Sequence, residues 1–189
     1  MRGHAEFLKT CGKERGFSVE ILQPVGKDVL PYSSTRIRSM VATGDMGGAV
    51  RLLGRQYNLE GLVVPGDQRG RELGFPTANL ETDKELLPVQ GVYAVKVRHG
   101  SQEYSGVVNL GNRPTFNGRS STIEVHLLDF SGDLYGQTLR IYFVERLRDE
   151  LKFTSSEELV NAISADVLRA RQVLQSTHII QYQEYLSLK

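Results

Sequence analysis

Between Gly66 and Asn79 the chain reads Gly-Asp-Gln-Arg-Gly-Arg-Glu-Leu-Gly-Phe-Pro-Thr-Ala-Asn. Gly66, Gly70 and Gly74 recur at intervals of four with arginines between them, so a loop here can bring backbone N–H groups and positive charge close to phosphate. It is not a P-loop, because no G-x-x-x-x-G-K-[ST] occurs in the chain and no strand-to-helix switch is expected after these glycines. Taken alone, the same glycines also read as an ordinary turn. Pro76 fixes its own φ and pushes Phe75 toward an extended backbone, which makes Pro-Thr-Ala-Asn a short stiff segment. In such a segment Thr77 and Asn79 point to the same side, and their oxygens are hard neutral ligands able to complete the shell of a phosphate-bound Mg²⁺. Their alternative role is to satisfy local backbone groups.

A second chemistry-bearing stretch is Thr122-Ile123-Glu124-Val125-His126-Leu127-Leu128-Asp129-Phe130. Strand alternation puts Ile123, Val125 and Leu127 on one face and Glu124 with His126 on the other. A carboxylate in the middle of an apolar strand is a candidate general base, although such a glutamate also occurs on solvated outer faces. His126 reads as structural, because no second nitrogen ligand stands at metal-binding spacing.

The elements that must carry these residues follow from periodicity. From Tyr57 onward, alternating strands broken by glycine are expected near 58–65, 91–98, 103–109, 121–130 and 137–145, a pattern of an antiparallel barrel or sandwich. His99-Gly100 predicts a tight hairpin, and Ser131-Gly132-Asp133 predicts the turn between the last two strands. A long helix closes this region. Ser155 and Glu158 form its capping box, and Leu159, Ile163, Val167, Ala170 and Leu174 make an apolar stripe expected to pack on the barrel. Upstream, residues 4–15 predict a helix ending at Gly16, Phe17-Val19-Ile21 alternate as in a strand, and Ser33 or Ser34 caps a helix through Thr43. Gly44-Asp45 restarts a helix toward Leu53. Residues 176–189 form a tail with weaker periodicity.

Composition narrows the class. The 189 residues are 40% hydrophobic, enough for one core or one core plus an appendage. With 23 basic and 22 acidic residues the net charge is +1, which argues against a nucleic-acid partner. Cys11 is the single cysteine, so no internal disulfide can form, and it reads as a half-buried helix residue. Neither a membrane-length apolar run nor a signal peptide is present, and a cytoplasmic location is expected. No protein partner is indicated.

Taken together, G-D-Q-R-G-R-E-L-G-F-P-T-A-N, L-P-V-Q-G-V-Y-A, G-V-V-N-L-G-N-R-P-T-F, I-E-V-H-L-L-D-F, D-L-Y-G-Q and R-D-E-L-K-F closely resemble the riboflavin kinase family, in the family's order. The resemblance implies a mainly β fold, a six-stranded antiparallel Greek-key barrel with a C-terminal helix, over residues 55–175. It implies Mg²⁺ as cofactor, ATP and riboflavin as substrates, and FMN and ADP as products. By position, Thr77 and Asn79 resemble the family's metal and nucleotide-phosphate residues, and Glu124 resembles the base facing the ribityl 5′-hydroxyl. Gly66, Gly70, Arg71 and Pro76 fall with the nucleotide, while Arg148, Glu150 and Phe153 fall in the loop that closes near the flavin ring.

Residues 1–54 carry R-G-H-A-E-F-L, G-F-S-V-E-I-L-Q-P-V and S-S-T-R-I-R, which look like the end of the adenylyltransferase domain of bacterial bifunctional flavin enzymes. In that family Ser33, Ser34, Thr35 and Arg38 would sit at a helix N-terminus that receives ATP phosphates. The family's H-x-G-H motif is absent, and Tyr32 stands where an apolar residue is usual. The expectation is a partial α/β nucleotidyltransferase remnant, in a fragment lacking that second activity and dispensable to the kinase. Three other functions compete: a non-catalytic flavin-binding barrel, an FMN adenylyltransferase, and an oligonucleotide-binding barrel. The last is disfavoured by net charge and by the lack of an aromatic stripe on a basic strand.

Overall fold

The computed structural model describes residues 5–22, 26–27, 30–66, 69–115 and 118–180, which fall into two compact units divided between Ser33 and Ser34. In the first unit, α1 (Ala5–Arg15) ends where Gly16 adopts φ 74° and Phe17 N–H donates to the Gly12 carbonyl at 3.0 Å. This left-handed turn needs glycine. The strand expected from Phe17-Val19-Ile21 does not form within residues 17–22; the unit's ladder is instead the minimal pair β1 (Gly26–Lys27) and β2 (Leu30–Pro31). Alternation makes a strand only when a neighbouring backbone takes up its N–H and C=O groups, and residues 17–22 have no such ladder.

The second unit opens with α2 (Ser34–Thr43) and α3 (Met46–Leu53), as the capping residues predict. Gly44 turns the chain at φ 82°, and the Asp45 carboxylate accepts from the Gly48 N–H at 2.8 Å. Val41, Met46 and Ala49 are buried in the same apolar cluster as the barrel interior. Residues 34–53 therefore contribute side chains to the barrel's core, so deleting everything before residue 55 is expected to expose part of it. Removing Met46 alone would strip a fully packed side chain, a loss of ~2–5 kcal/mol.

Six antiparallel strands close the barrel: β3 (Asn58–Val64), β4 (Ala78–Glu81), β5 (Gly91–His99), β6 (Gln102–Thr115), β7 (Gly118–Leu127) and β8 (Thr138–Arg148), in spatial order β3-β4-β7-β6-β5-β8. Strands β5, β6 and β7 form a meander and β8 returns beside β5, the Greek-key order. Residue patterning found five of these strands; the sixth, β4, is only four residues long and continues the stiff Pro-Thr-Ala-Asn segment. The β5–β6 hairpin turns at Gly100, φ 58°, with His99 opposite Gln102. Inward residues such as Leu59, Tyr93, Val108, Val125, Leu139 and Phe143 fill the interior.

Outside the barrel lies α5 (Ser156–Leu174). Ser155 Oγ accepts from the Glu158 N–H at 3.1 Å, and the Glu158 carboxylate reaches back to the Thr154 N–H and hydroxyl, both at 2.9 Å. Those donors hold the Glu158 carboxyl below its ordinary value. Ala170 and Leu174 are buried with Val92, Ala94 and Val107 on the barrel's outer surface, and Val167 packs against them. Leu159 and Ile163, at the other end of the expected stripe, line a cleft instead of the packed core. The start of the tail is held by Gln56: its amide donates to the His178 carbonyl and accepts from the Ile180 N–H, both at 2.9 Å.

Candidate active site

Strand register brings the candidate residues together. On the barrel's outer face Asn79 of β4 stands directly opposite Glu124 of β7, Glu124 opposite Asn109 of β6, Asn109 opposite Val92 of β5, and Val92 opposite Arg148 of β8. Directly opposed residues share a face, so these make one row of side chains across five strands. The row floors a cleft of about 450 Å³ whose far wall is the first half of α5, with Leu159, Ile163 and Asp166. Glu150 and Phe153, from the loop after β8, also line it, as do Gly70, Thr77 and Asn79.

A neighbouring cleft of about 690 Å³ is lined by Arg71, Pro76, Thr77, Val63, Leu127 and the 130–135 turn. Thr77 lines both clefts. In that turn the Tyr135 N–H donates to the Asp133 carboxylate at 2.9 Å, while Gly136 adopts φ 71°. The glycine loop between β3 and β4 contains one helical turn, α4 (Arg69–Glu72), closed by Gly74 at φ 86° and by Phe75 N–H to the Gly70 carbonyl at 2.8 Å.

The glycines earn their places by close approach. A Cβ on Gly66 would lie 1.9 Å from Asn79 Nδ2, and one on Gly70 would lie 2.4 Å from the Phe75 carbonyl oxygen and 3.3 Å from Thr77 Oγ1. Both backbones thus sit against the two candidate ligands. His126 holds the same segment from below: its Nδ1 is 2.8 Å from the Pro76 carbonyl oxygen, and its ring meets Phe75 edge-on at 5.7 Å. A neutral hydroxyl and amide fit a cation that arrives with its own phosphates. They suit that role better than a self-contained protein site, and no group of three or more His, Cys, Asp or Glu among the described residues could hold a metal.

Arg148 is committed to the protein. Its guanidinium makes a fork with Asp166, Nε to Oδ1 and Oδ2 at 3.0 Å and Nη2 to Oδ2 at 2.8 Å. Its Nη1 donates to the Asp149 carbonyl at 2.9 Å and its face lies over Phe153, 5.8 Å from the ring centroid. The remaining expected group, Ser34, Thr35 and Arg38, lies on α2 with Ser33 just before it, and Ser34, Thr35 and Arg38 line neither cleft. Sequence reasoning passed over Asn109, Asn112, Thr122 and Asp166 in the smaller cleft, and Phe130, Asp133 and Tyr135 in the larger. Asp166 had a signal: it falls on the apolar stripe, three residues after Ile163 and four before Ala170.

The family profile described as "Flavokinase: Riboflavin kinase" matches residues 53–174, most of the chain. The chain belongs to the riboflavin kinase family. It is 45% identical over 170 residues to a bifunctional riboflavin kinase/FMN adenylyltransferase of Pseudomonas fluorescens, covering 89% of this chain and 55% of that protein. A protein of the same name from Escherichia coli K12 is 40% identical, with 87% and 53% covered. The chain spans about half the length of the curated relatives it matches. A crystal structure described as a macrolide-efflux protein from Streptococcus pneumoniae superposes with a TM-score of 0.80 at 37% identity, over 90% of this chain and 55% of that one. Among the described residues no helix is long and apolar enough to cross a membrane. The profile's residues 53–174 span the closed barrel and its outer helix.

Proposed function

We propose that this chain transfers the γ-phosphoryl group of ATP to the 5′-hydroxyl of riboflavin in the cytoplasm, with riboflavin in the smaller cleft and the nucleotide in the larger. The observation that carries the reading is the opposition of Glu124 and Asn79 beside Thr77, which lines both clefts. Glu124 and Asn79 on the flavin side meet Thr77, Pro76 and Arg71 on the nucleotide side there.

Phosphoryl transfer passes through a loose transition state and depends on in-line placement and on neutralising the phosphate oxygens. Glu124 is placed to accept the proton of the ribityl hydroxyl as it attacks, work that contributes ~10²–10⁴-fold. Arg71 and the N–H groups of the Gly66–Gly74 loop direct positive charge to the phosphates. When bound, Mg²⁺ supplies further neutralisation, and Thr77 Oγ and the Asn79 amide oxygen are the groups that would hold it. Arg148, Glu150 and Phe153 border the flavin. On the same reading residues 1–54 belong to an adenylyltransferase-like region, with Ser33, Ser34, Thr35 and Arg38 at its phosphate site.

Incubating the protein with riboflavin and MgATP should give FMN and ADP in equal amounts with no FAD or pyrophosphate, as read by chromatography. Bound flavin without ADP release would support a storage barrel. Stoichiometric FAD would mean the adenylyltransferase function persists.

A further inference from the structure

Asp166 is 7% exposed on α5, with its carboxylate turned into the smaller cleft's wall rather than to solvent. A buried carboxylate on an apolar stripe is unfavourable unless it is paired and hydrogen-bonded. Its partner is Arg148, whose Nε, Nη1 and Nη2 are all occupied, by Asp166 and by the Asp149 carbonyl. Each of its three nitrogens thereby makes a bond within the protein. What it does hold is Phe153, lying under its guanidinium face, and the backbone where the chain leaves β8. The pair thus ties three parts together: the end of β8, the 149–153 loop and the middle of α5.

We propose that Asp166 is a positioning residue for the flavin: acting through Arg148, it fixes the Phe153 ring and the 149–153 loop as the rigid end of the riboflavin cleft. The inference rests on the assignment of that cleft to riboflavin. Arg148 is three strands along the row from Glu124, and neighbouring strands are ~4.8 Å apart, so the fixed end stands ~14 Å from the base. A long ligand held at one end presents its other end in a set place. An error of about 1 Å at the reacting hydroxyl can reduce rate by ~10²-fold.

The test is the split between substrates. Asp166→Asn keeps shape and removes the charge, leaving Arg148 without its fork; the riboflavin KM should rise ~10-fold or more while the MgATP KM stays within about twofold. Asp166→Glu, which retains a carboxylate, should recover at least half of that loss on a logarithmic scale. Where Asp166→Asn does not fold, the Arg148→Met/Asp166→Leu double variant, which leaves no orphan charge, carries the same expectation. A folded variant whose riboflavin KM is within twofold of the parent overturns the proposal, as does an equal rise in both KM values. Failure of the underlying assignment looks different: the parent protein itself would form no FMN, or would not bind riboflavin in competition with ring analogues.

Discussion

The smaller cleft takes its floor from strand side chains in fixed register and its wall from a long helix, whereas the larger takes much of its lining from turns, residues 71–77 and 130–135. One is built from elements whose backbone bonds are already committed to the barrel, with a buried ion pair at its end. The other has barrel residues Val63, Ala78, Val125 and Leu127 in its lining, but opens under a turn held within itself by the Tyr135–Asp133 bond and tied to β3 at its end, through Gly136 and Gln137. The difference suggests a division of labour. Fixed geometry is needed where a hydroxyl must meet a base, and a turn suffices where phosphates and charge define the grip.

Substitution can sharpen this contrast. The largest effect is expected for Glu124→Gln, which keeps size and hydrogen-bonding shape and removes proton acceptance: turnover should fall ~10²–10⁴-fold with both substrate affinities and the melting midpoint retained. Near-normal turnover in that folded variant would move the base elsewhere. A smaller effect is expected for Gly66→Ala. The new methyl must displace the Asn79 amide, so the MgATP KM should rise ~10-fold in steady-state assays, with the riboflavin KM little changed. Tyr135→Ala removes an exposed aromatic from the turn over the larger cleft, and a rise of ~3–10-fold in the MgATP KM alone is the expected reading. If the riboflavin KM moves as much, the clefts are not separate in the way the geometry divides them.

The smallest effect concerns pH. Glu158 sits at the start of α5, with its carboxyl held below its ordinary value by the Thr154 N–H and hydroxyl. A lowered folded-state value means the stabilisation is present above the unfolded value and is lost as pH falls through the folded one. The protection of the first-turn amides of α5, measured as exchange relative to the unfolded chain at the same pH, should therefore fall in acid in the parent and lose that pH dependence in Glu158→Gln. Protection that remains equally acid-sensitive in the variant would assign the effect to another carboxylate.

Much of the architecture could be read from sequence because it rests on local rules. The cap at Ser155, the turns at Gly16, Gly44 and Gly100, and the alternating apolar face of β7 all follow from residue type and spacing. Non-local facts could not be read in the same way. That Asn109 stands opposite Glu124 depends on how β6 and β7 slide past each other, and a shift of one residue would have turned it to the interior. The packing of Val41, Met46 and Ala49 into the barrel was hidden for a similar reason: amphipathic helices show that a face must be covered, but not by what. Residues 17–22 give the reverse case, an alternating pattern that makes no ladder among the described residues.

Among the described residues Thr77 alone lines both clefts, so the two compartments approach each other at that side chain. For a medicinal chemist this makes two pockets that meet at one side chain. A flavin-like head and an adenosine-like head joined by a short anionic tether over Thr77 would gain from both compartments at once, because the second head then binds from an effective concentration instead of from bulk solution. The tether's tolerance would be narrow, since a linker too short or too long to cross that one residue forfeits the advantage.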